Sequence, residues 1–447
     1  MKTKIALIGA GGEGFAAKFI PDILARESLK DCHIALTDIH EGRLDSALKI
    51  ARLVVEEAGG QATLTATTDL AEAVKDADFV LTIFRVGTLA EQRLEYEIPK
   101  KYGVDQVVAD TLGPGGIFRG IRVIPALLEV LDAMEQHCPG AYLLNYVNPM
   151  SINTIALSQR AKTVQVVGLC HSVQHTARRI AKFIGIEPAD LRYWTAGVNH
   201  QAFFLKLEAD GKDVYPVLRE AMEKPEIYEQ ERVRFEMLRH FDHFVTESSG
   251  HNSEYNPYFR KRPELIEAFC RPLNDTPVGR MMAGVSGAAL EVCEKKEENF
   301  HTRVDRVLSG ETPVQLKKTE EYGIQIIEAV TTDTLFRANL NVMNDGLIAN
   351  LPSGCSVEVP CLIDGAGIHP CVVEDYPEQL AALNRDMINV HMLAAKGAVS
   401  GSRRAVFHAI AHDPLTSAVC SLEEIQAMTD ELFEALRGHV DKRFYQE

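Results

Sequence analysis

Three features of secreted and membrane proteins are missing from this 447-residue sequence. Its nine cysteines are odd in number and contain no Cys-x-x-Cys pair, so they do not form the disulfide framework of a secreted scaffold. No stretch approaches the roughly 18–20 consecutive apolar residues of a membrane span. Met1-Lys2-Thr3-Lys4 leads into only four apolar residues, Ile5-Ala6-Leu7-Ile8, too few for a signal peptide. Positive charge is also short: 47 Lys and Arg against 63 Asp and Glu give a net charge of −16. That charge repels nucleic acid and anionic membrane at long range. Internal repeats and low-complexity tracts are absent as well. The expectation is a cytoplasmic protein with reduced cysteines and small-molecule ligands, and with neither nucleic acid nor membrane as a partner.

At 46% hydrophobic and 25% charged, the composition is that of a folded globular chain. Its length exceeds what one ordinary core organises, so two domains are expected. The first 30 residues read as strand, tight turn and helix. Ile5 to Ile8 suit a strand buried on both faces, and Gly9-Ala10-Gly11-Gly12-Glu13-Gly14 has GxGxxG spacing ahead of a helix over 15–24. Glycines allow the backbone to approach a pyrophosphate at the helix N-terminus. A second strand at 34–36 ends at Asp38, where an acid binds ribose hydroxyls and repels the 2′-phosphate of NADP. Gly9, Gly11, Gly12, Gly14 and Asp38 are therefore expected to bind NAD. The plainer alternative makes the glycines an ordinary strand-to-helix turn and Asp38 a turn or helix-capping carboxylate.

The alternation continues with a helix at 70–74, a strand at 79–83 and a helical stretch from 87 towards 102. A glycine-rich loop at 110–116 opens a helix over 117–134, and strands follow at 142–146 and 164–167. Strands alternating with helices imply a parallel, doubly wound sheet that collects ligands at its carboxyl ends. Arg85, Asp110, Asn148 and Cys170 all fall just past predicted strand ends, so they are expected to share one crevice. From about residue 191 the pattern mixes a strand at 203–207, a helix over 216–240 and a polar, aromatic-bearing loop at 246–259. The charge run 294–298 reads as a solvated helix face or linker. Residues 341–368 read as antiparallel strands, and the last 70 residues as mostly helical. The fold class expected is α/β, with a Rossmann-like domain at 1–190 and an α+β domain at 191–447.

Two segments carry the chemistry: Gly168-Leu169-Cys170-His171-Ser172-Val173 and Gly197-Val198-Asn199-His200. A thiolate and a neutral imidazole are good ligands for a divalent transition metal, and two ligands leave its coordination sphere open. Against this, free cysteine is usually a small buried hydrophobe, and a lone histidine is more often structural.

With these motifs in this order, the sequence resembles glycoside hydrolase family 4 along essentially its whole length, including Asn344-Asp345-Gly346-Leu347 and Asn350-Leu351-Pro352. The resemblance implies NAD and a divalent metal, usually Mn²⁺, where most glycosidases use two carboxylates. It implies that NAD takes hydride from sugar C3, a base removes the C2 proton, the aglycone leaves, water adds and the hydride returns. Cys170 and His200 are then the metal ligands. Tyr255 is the favoured C2 base, with Glu247 as second choice, and His171 is the acid for the leaving oxygen. Asn148, Asn199, His251 and Arg85 are substrate or metal-supporting groups, Asn148 also lying near the cofactor; each asparagine could equally be a turn residue.

Cys170-His171-Ser172-Val173, Phe244 to Ser249 and Leu143 to Met150 are similar to the α-galactosidase branch. Arg85-Val86-Gly87 with Arg93 resembles the phosphoglycosidase branch. Gly12 replaces the usual serine, and Glu13 adds a carboxylate to the turn. The resemblance implies an α-galactosidase acting on small unphosphorylated galactosides, as a homodimer or homotetramer. An α-glucosidase or 6-phospho-α-glycosidase of the same family, or an NAD-dependent 2-hydroxy acid dehydrogenase sharing the fold, are the alternatives.

Overall fold

The computed structural model describes residues 2–12 and 15–446. The first half supplies β1 (Lys4–Ile8), β2 (His33–Thr37), β3 (Thr63–Thr67), β4 (Phe79–Thr82), β5 (Tyr142–Asn145) and β6 (Gln165–Gly168). They pair in parallel in the order β3-β2-β1-β4-β5-β6, the doubly wound arrangement. Interleaved are α1 (Phe15–Leu24), α2 (Glu41–Glu57), α3 (Leu70–Val74), α4 (Leu89–Lys101), α5 (Gly113–His137), α6 (Met150–Arg160) and α7 (Ser172–Ile184). Ile5, Leu7, Ile34, Leu36, Phe79 and Leu81 are buried between the helical layers, each contributing roughly 2 kcal/mol of apolar burial. Ala6, Ile8, Ala35 and Val80 are buried on the opposite face, and burial on both faces is why these strands read as continuous apolar runs. β3, Thr-Leu-Thr-Ala-Thr, is a half-exposed edge strand that a search for apolar runs passes over.

The second half adds β7 (Arg192–Val198), β8 (Gln201–Ala209), β9 (Lys212–Asp213), β10 (Phe336–Met343), β11 (Ser356–Asp364) and β12 (Gly367–Pro370). They continue the same sheet as β6-β10-β11-β7-β8-β9, with β12 on β11. These pairings are antiparallel, and β10 joins the parallel half through the register pair Asn341↔Gly168. The sheet thus runs unbroken across residues 190 and 191. Four helices, Glu378–Ser400, Arg403–His412, Pro414–Val419 and Leu422–Ala435, fill the C-terminal region. Among the described residues no helix is long and apolar enough to cross a membrane.

Three local expectations are corrected. Residues 216–240 form not one helix but α8 (Tyr215–Met222), α9 (Pro225–Tyr228) and α10 (Arg232–Phe241). Pro225 forces Lys224 into extended backbone at φ −82° and ψ 120°, which ends the preceding helix. The expected loop at 246–259 contains α11 (Ser249–Tyr255), all of whose residues are buried. Gly113, Pro114, Gly115 and Gly116 belong to the first turn of α5 rather than to a loop, with proline in the early position where its missing N–H costs nothing.

Candidate active site

The nucleotide side forms at the point where strand order reverses, between β1 and β4. Gly9 follows β1 at φ +90°, and a Cβ there would lie 2.5 Å from Phe84 Cβ, so both backbone conformation and close approach require glycine. Asp38, at the end of β2, accepts hydrogen bonds from Gly11 N and His40 N, each at 2.9 Å. Its carboxylate is thus tied to the glycine turn rather than capping α2, whose N-cap is His40 without a side-chain bond. Gly12 also lies in this turn, its N–H donating to Gly9 O at 3.0 Å; Gly14 lies outside the described residues.

The metal side forms at the ends of β6 and β7. Cys170 sits between β6 and α7, and His200 in the two-residue turn joining β7 to β8. Cys170, His200 and Glu247 bring three ligand atoms within 4.8 Å of one another, and so do Asp110, His200 and His251. Glu247 Oε1 lies 3.4 Å from His251 Nδ1 and Glu247 Oε2 3.8 Å from His200 Nε2. Asn148 Nδ2 donates to Asp110 Oδ2 at 2.9 Å. Thr111 Oγ1 bridges Asp110 Oδ1 at 3.0 Å and His200 Nδ1 at 2.9 Å. The Tyr255 hydroxyl, from the end of α11, lies 3.2 Å from the same nitrogen. Ser248 caps α11 and bonds His251 Nδ1 at 2.8 Å.

Backbone strain concentrates here. Eight described non-glycine residues have positive φ, and five of them are aspartates, which tolerate that region through their short polar side chain. The other three are His200 at +67°, Glu247 at +70° and Ala109, next to Asp110, at +53°. Strain of this kind persists where surrounding structure enforces it, and it marks functional sites.

The electrostatics favour a cation. Burial opposes a charged His200, but Cys170, Glu247 and Asp110 outweigh it and raise the imidazole to about 10. Burial likewise disfavours the charged Asp110 and Glu247, yet the facing histidines hold both carboxyls below their ordinary values, helped at Asp110 by Arg119 and Asn148. The field that keeps a proton on His200 is one that binds a divalent ion in its place. The mixed sulfur, nitrogen and oxygen donors suit a first-row transition metal.

The family 4 glycosyl hydrolase profile covers residues 4–186, and the profile of its C-terminal domain covers 195–416. An α-galactosidase from Bacillus subtilis (strain 168) is 39% identical over 436 residues, which is 97% of this chain and 98% of that one. The chain belongs to glycoside hydrolase family 4. An α-galactosidase from Rhizobium meliloti (strain 1021) is 37% identical across 97% of this family 4 chain and 88% of its own. A 6-phospho-α-glucosidase from gut microorganisms, crystallised with NAD and Mn²⁺, shares the fold with a TM-score of 0.81 at 20% identity, covering 98% and 99% of the two chains.

Not every expected site residue of this glycoside hydrolase joins the cluster. His171 is exposed at the N-cap of α7, its ring 4.5 Å from that of His175, although its charge is felt at Glu247 and His251. Half-buried Arg85 makes no hydrogen bond or ion pair with the cluster among the described residues. Asn199 turns beneath His200 towards Glu358. Burial, with Asp110 and Glu254, pushes the Tyr255 phenol well above its ordinary value. Sequence reasoning put Asp110 in the crevice without a role and passed over Glu358. The available signal was an acid amid the apolar residues of Ser356-Val357-Glu358-Val359.

Proposed function

We propose that the protein is an NAD- and Mn²⁺-dependent α-galactosidase acting on small unphosphorylated α-galactosides. The observation that carries this is the convergence of Cys170, His200, Glu247, Asp110 and His251 in a chain whose same sheet carries a glycine turn tied to Asp38. Support for the galactoside comes from the two α-galactosidases at 39% and 37% identity. Gly9, Gly11, Gly12, Gly14 and Asp38 hold NAD, and Cys170 and His200 hold the metal with Glu247, Asp110 or His251 alongside. When bound, these groups supply hydride exchange at sugar C3 and Lewis-acid stabilisation of charge at the C2 and C3 oxygens.

The chain's own residues move the protons. Tyr255 removes the C2 proton, and His171, at the exposed mouth, protonates the departing oxygen, a role suited to an imidazole. Asn148 orients Asp110 and reaches the substrate, while Asn199 steadies the turn that carries His200. Arg85 closes the sugar subsite from the end of β4. The division at residues 190 and 191 separates a nucleotide half from a substrate half within one sheet. A cytoplasmic homodimer or homotetramer is the assembly this reading carries.

The test is hydrolysis of p-nitrophenyl α-galactoside, α-glucoside and 6-phospho-α-glucoside, with NAD, Mn²⁺ and a thiol reductant omitted in turn. The galactoside should be cleaved fastest, and only with both cofactors present. Cleavage that survives removal of both would sink the reading. Net NADH accumulation with a 2-hydroxy acid would favour the dehydrogenase instead.

A further inference from the structure

The reaction as described gives Glu358 no part, yet this carboxyl is 0% exposed beneath the site. It lies in a row of register partners crossing the sheet: Thr82, Asn145, Gly168, Asn341, Glu358 and Gly197. Neighbours in the row satisfy one another or the backbone. Thr82 Oγ1 donates to Asn145 Oδ1 at 2.8 Å, and Asn341 Nδ2 donates to Gly168 O at 3.2 Å. Two groups fall short of this: Asn341 Oδ1 is buried without a partner, and Glu358 is satisfied least of all. Its one hydrogen bond among the described residues is accepted by Oε2 from Asn199 Nδ2 at 3.5 Å. Glu358 Oε1 and Asn199 Oδ1 are both buried without a partner.

No lysine or arginine pairs with this carboxyl among the described residues. An ionised carboxylate buried with one long hydrogen bond is strongly disfavoured. A single proton on Oε1 would remove the charge and supply a donor for Asn199 Oδ1, while Oε2 accepts from Asn199 Nδ2. Both orphaned atoms would then have a partner, and two bonds would join the side chains. Burial, reinforced by Glu247, raises the acid, with His200 and the Asn199 bond opposing; Tyr322 is a further titratable neighbour.

The position of this pair gives it a consequence. Asn199 and His200 form the β7–β8 turn, and His200 is held at φ +67°. A β-hairpin turn of this shape prefers glycine there, so an imidazole at that position needs an anchor. We propose that Glu358 is a positioning residue that clamps Asn199 as a neutral carboxylic acid and thereby fixes the strained turn presenting His200. This rests on reading His200 as a metal ligand.

The test compares Glu358→Gln and Glu358→Leu in the full chain. The Gln carboxamide keeps one donor and one acceptor without a charge, so Mn²⁺ affinity should stay within about threefold of the unsubstituted protein. Leu removes both bonds, and Mn²⁺ affinity should fall roughly 10- to 100-fold, the usual penalty for losing a ligand's support, with NAD affinity unchanged. Equal loss in the two variants would mean that the ionised form matters, and equal retention would mean that no clamp exists; either overturns the inference. A spectroscopic arm stands apart from hydrolysis and from folding of the Leu variant. The infrared C=O band of a buried protonated carboxyl should be present in the unsubstituted protein and absent from Glu358→Gln. No such band in the unsubstituted protein overturns the inference whatever sugar the enzyme cleaves.

Discussion

The Tyr255 hydroxyl stands 3.2 Å from His200 Nδ1, with the two rings 17° from parallel. The phenol thus shares an imidazole with the candidate metal site, on the nitrogen facing away from Glu247. Buried beside Asp110 and Glu254, it is held well above the ordinary value, so it works as a base only where positive charge accumulates beside it. Tyr255→Phe should lower kcat by about 10²- to 10⁴-fold, the range for a lost general base, while Mn²⁺ affinity changes little. Solvent exchange at sugar C2 that persists in this variant, and disappears in Glu247→Gln, would transfer the role to Glu247.

Cys170 distinguishes a catalytic metal from a structural thiol. Supporting residues of metal ligands typically cost 10- to 100-fold in affinity when removed, so a direct ligand should cost more. Cys170→Ser is expected to weaken Mn²⁺ binding by roughly 100-fold or beyond and NAD binding hardly at all, as measured by calorimetric titration. Equal loss of both would make Cys170 a packing residue.

At the nucleotide end, Asp38→Asn keeps an acceptor for Gly11 N but removes the charge. NAD affinity should drop by about 1.5–3 kcal/mol, the scale of one hydrogen bond to a charged group, and discrimination against NADP should narrow. Fluorescence titration with the two dinucleotides reads both effects. Unchanged discrimination would confine Asp38 to holding the glycine turn.

Much of this architecture was legible because burial writes itself into sequence. Strands covered on both faces, such as β1 and β4, appear as apolar runs, and Gly9 announces a turn that no side chain could enter. What escaped lay where local pattern and tertiary environment disagree. Residues 249–255 are polar enough to pass for a loop, but Ser248, Glu231 and Asn252 satisfy their polar groups internally and let α11 sink into the core. Glu358 escaped for the converse reason, as one acid whose partner lies 159 positions away. Asp110 follows no strand end, lying instead in the connection between α4 and α5, and its meeting with His200 and His251 depends on elements distant in sequence.

Acid stability should depend on Glu231, which is buried between Arg179, Arg234 and the start of α11. Its oxygens lie 2.8 Å from Arg179 Nε and 2.6 Å from Arg234 Nη2, and accept from Ser249 Oγ at 2.9 Å. Burial resists the charge, but the two guanidinium groups prevail and hold the carboxyl below its ordinary 4.5. A depressed carboxyl stabilises the fold fully above that value, and the contribution fades as pH falls through the folded-state value. Glu231→Gln should cost about 3 kcal/mol near neutral pH, as for a broken buried ion pair. It should also flatten the loss of stability below pH 4.5, as read by urea melts across pH. A difference between the two proteins that does not shrink with acid would rule this linkage out.

The central claim is that the glycosidic bond breaks through a proton abstraction at C2, which no two-carboxylate glycosidase performs. Hydrolysis of melibiose in D₂O, followed by NMR of the released galactose, tests it directly. The account predicts deuterium at C2 of the product; galactose released with its C2 hydrogen fully retained would contradict it.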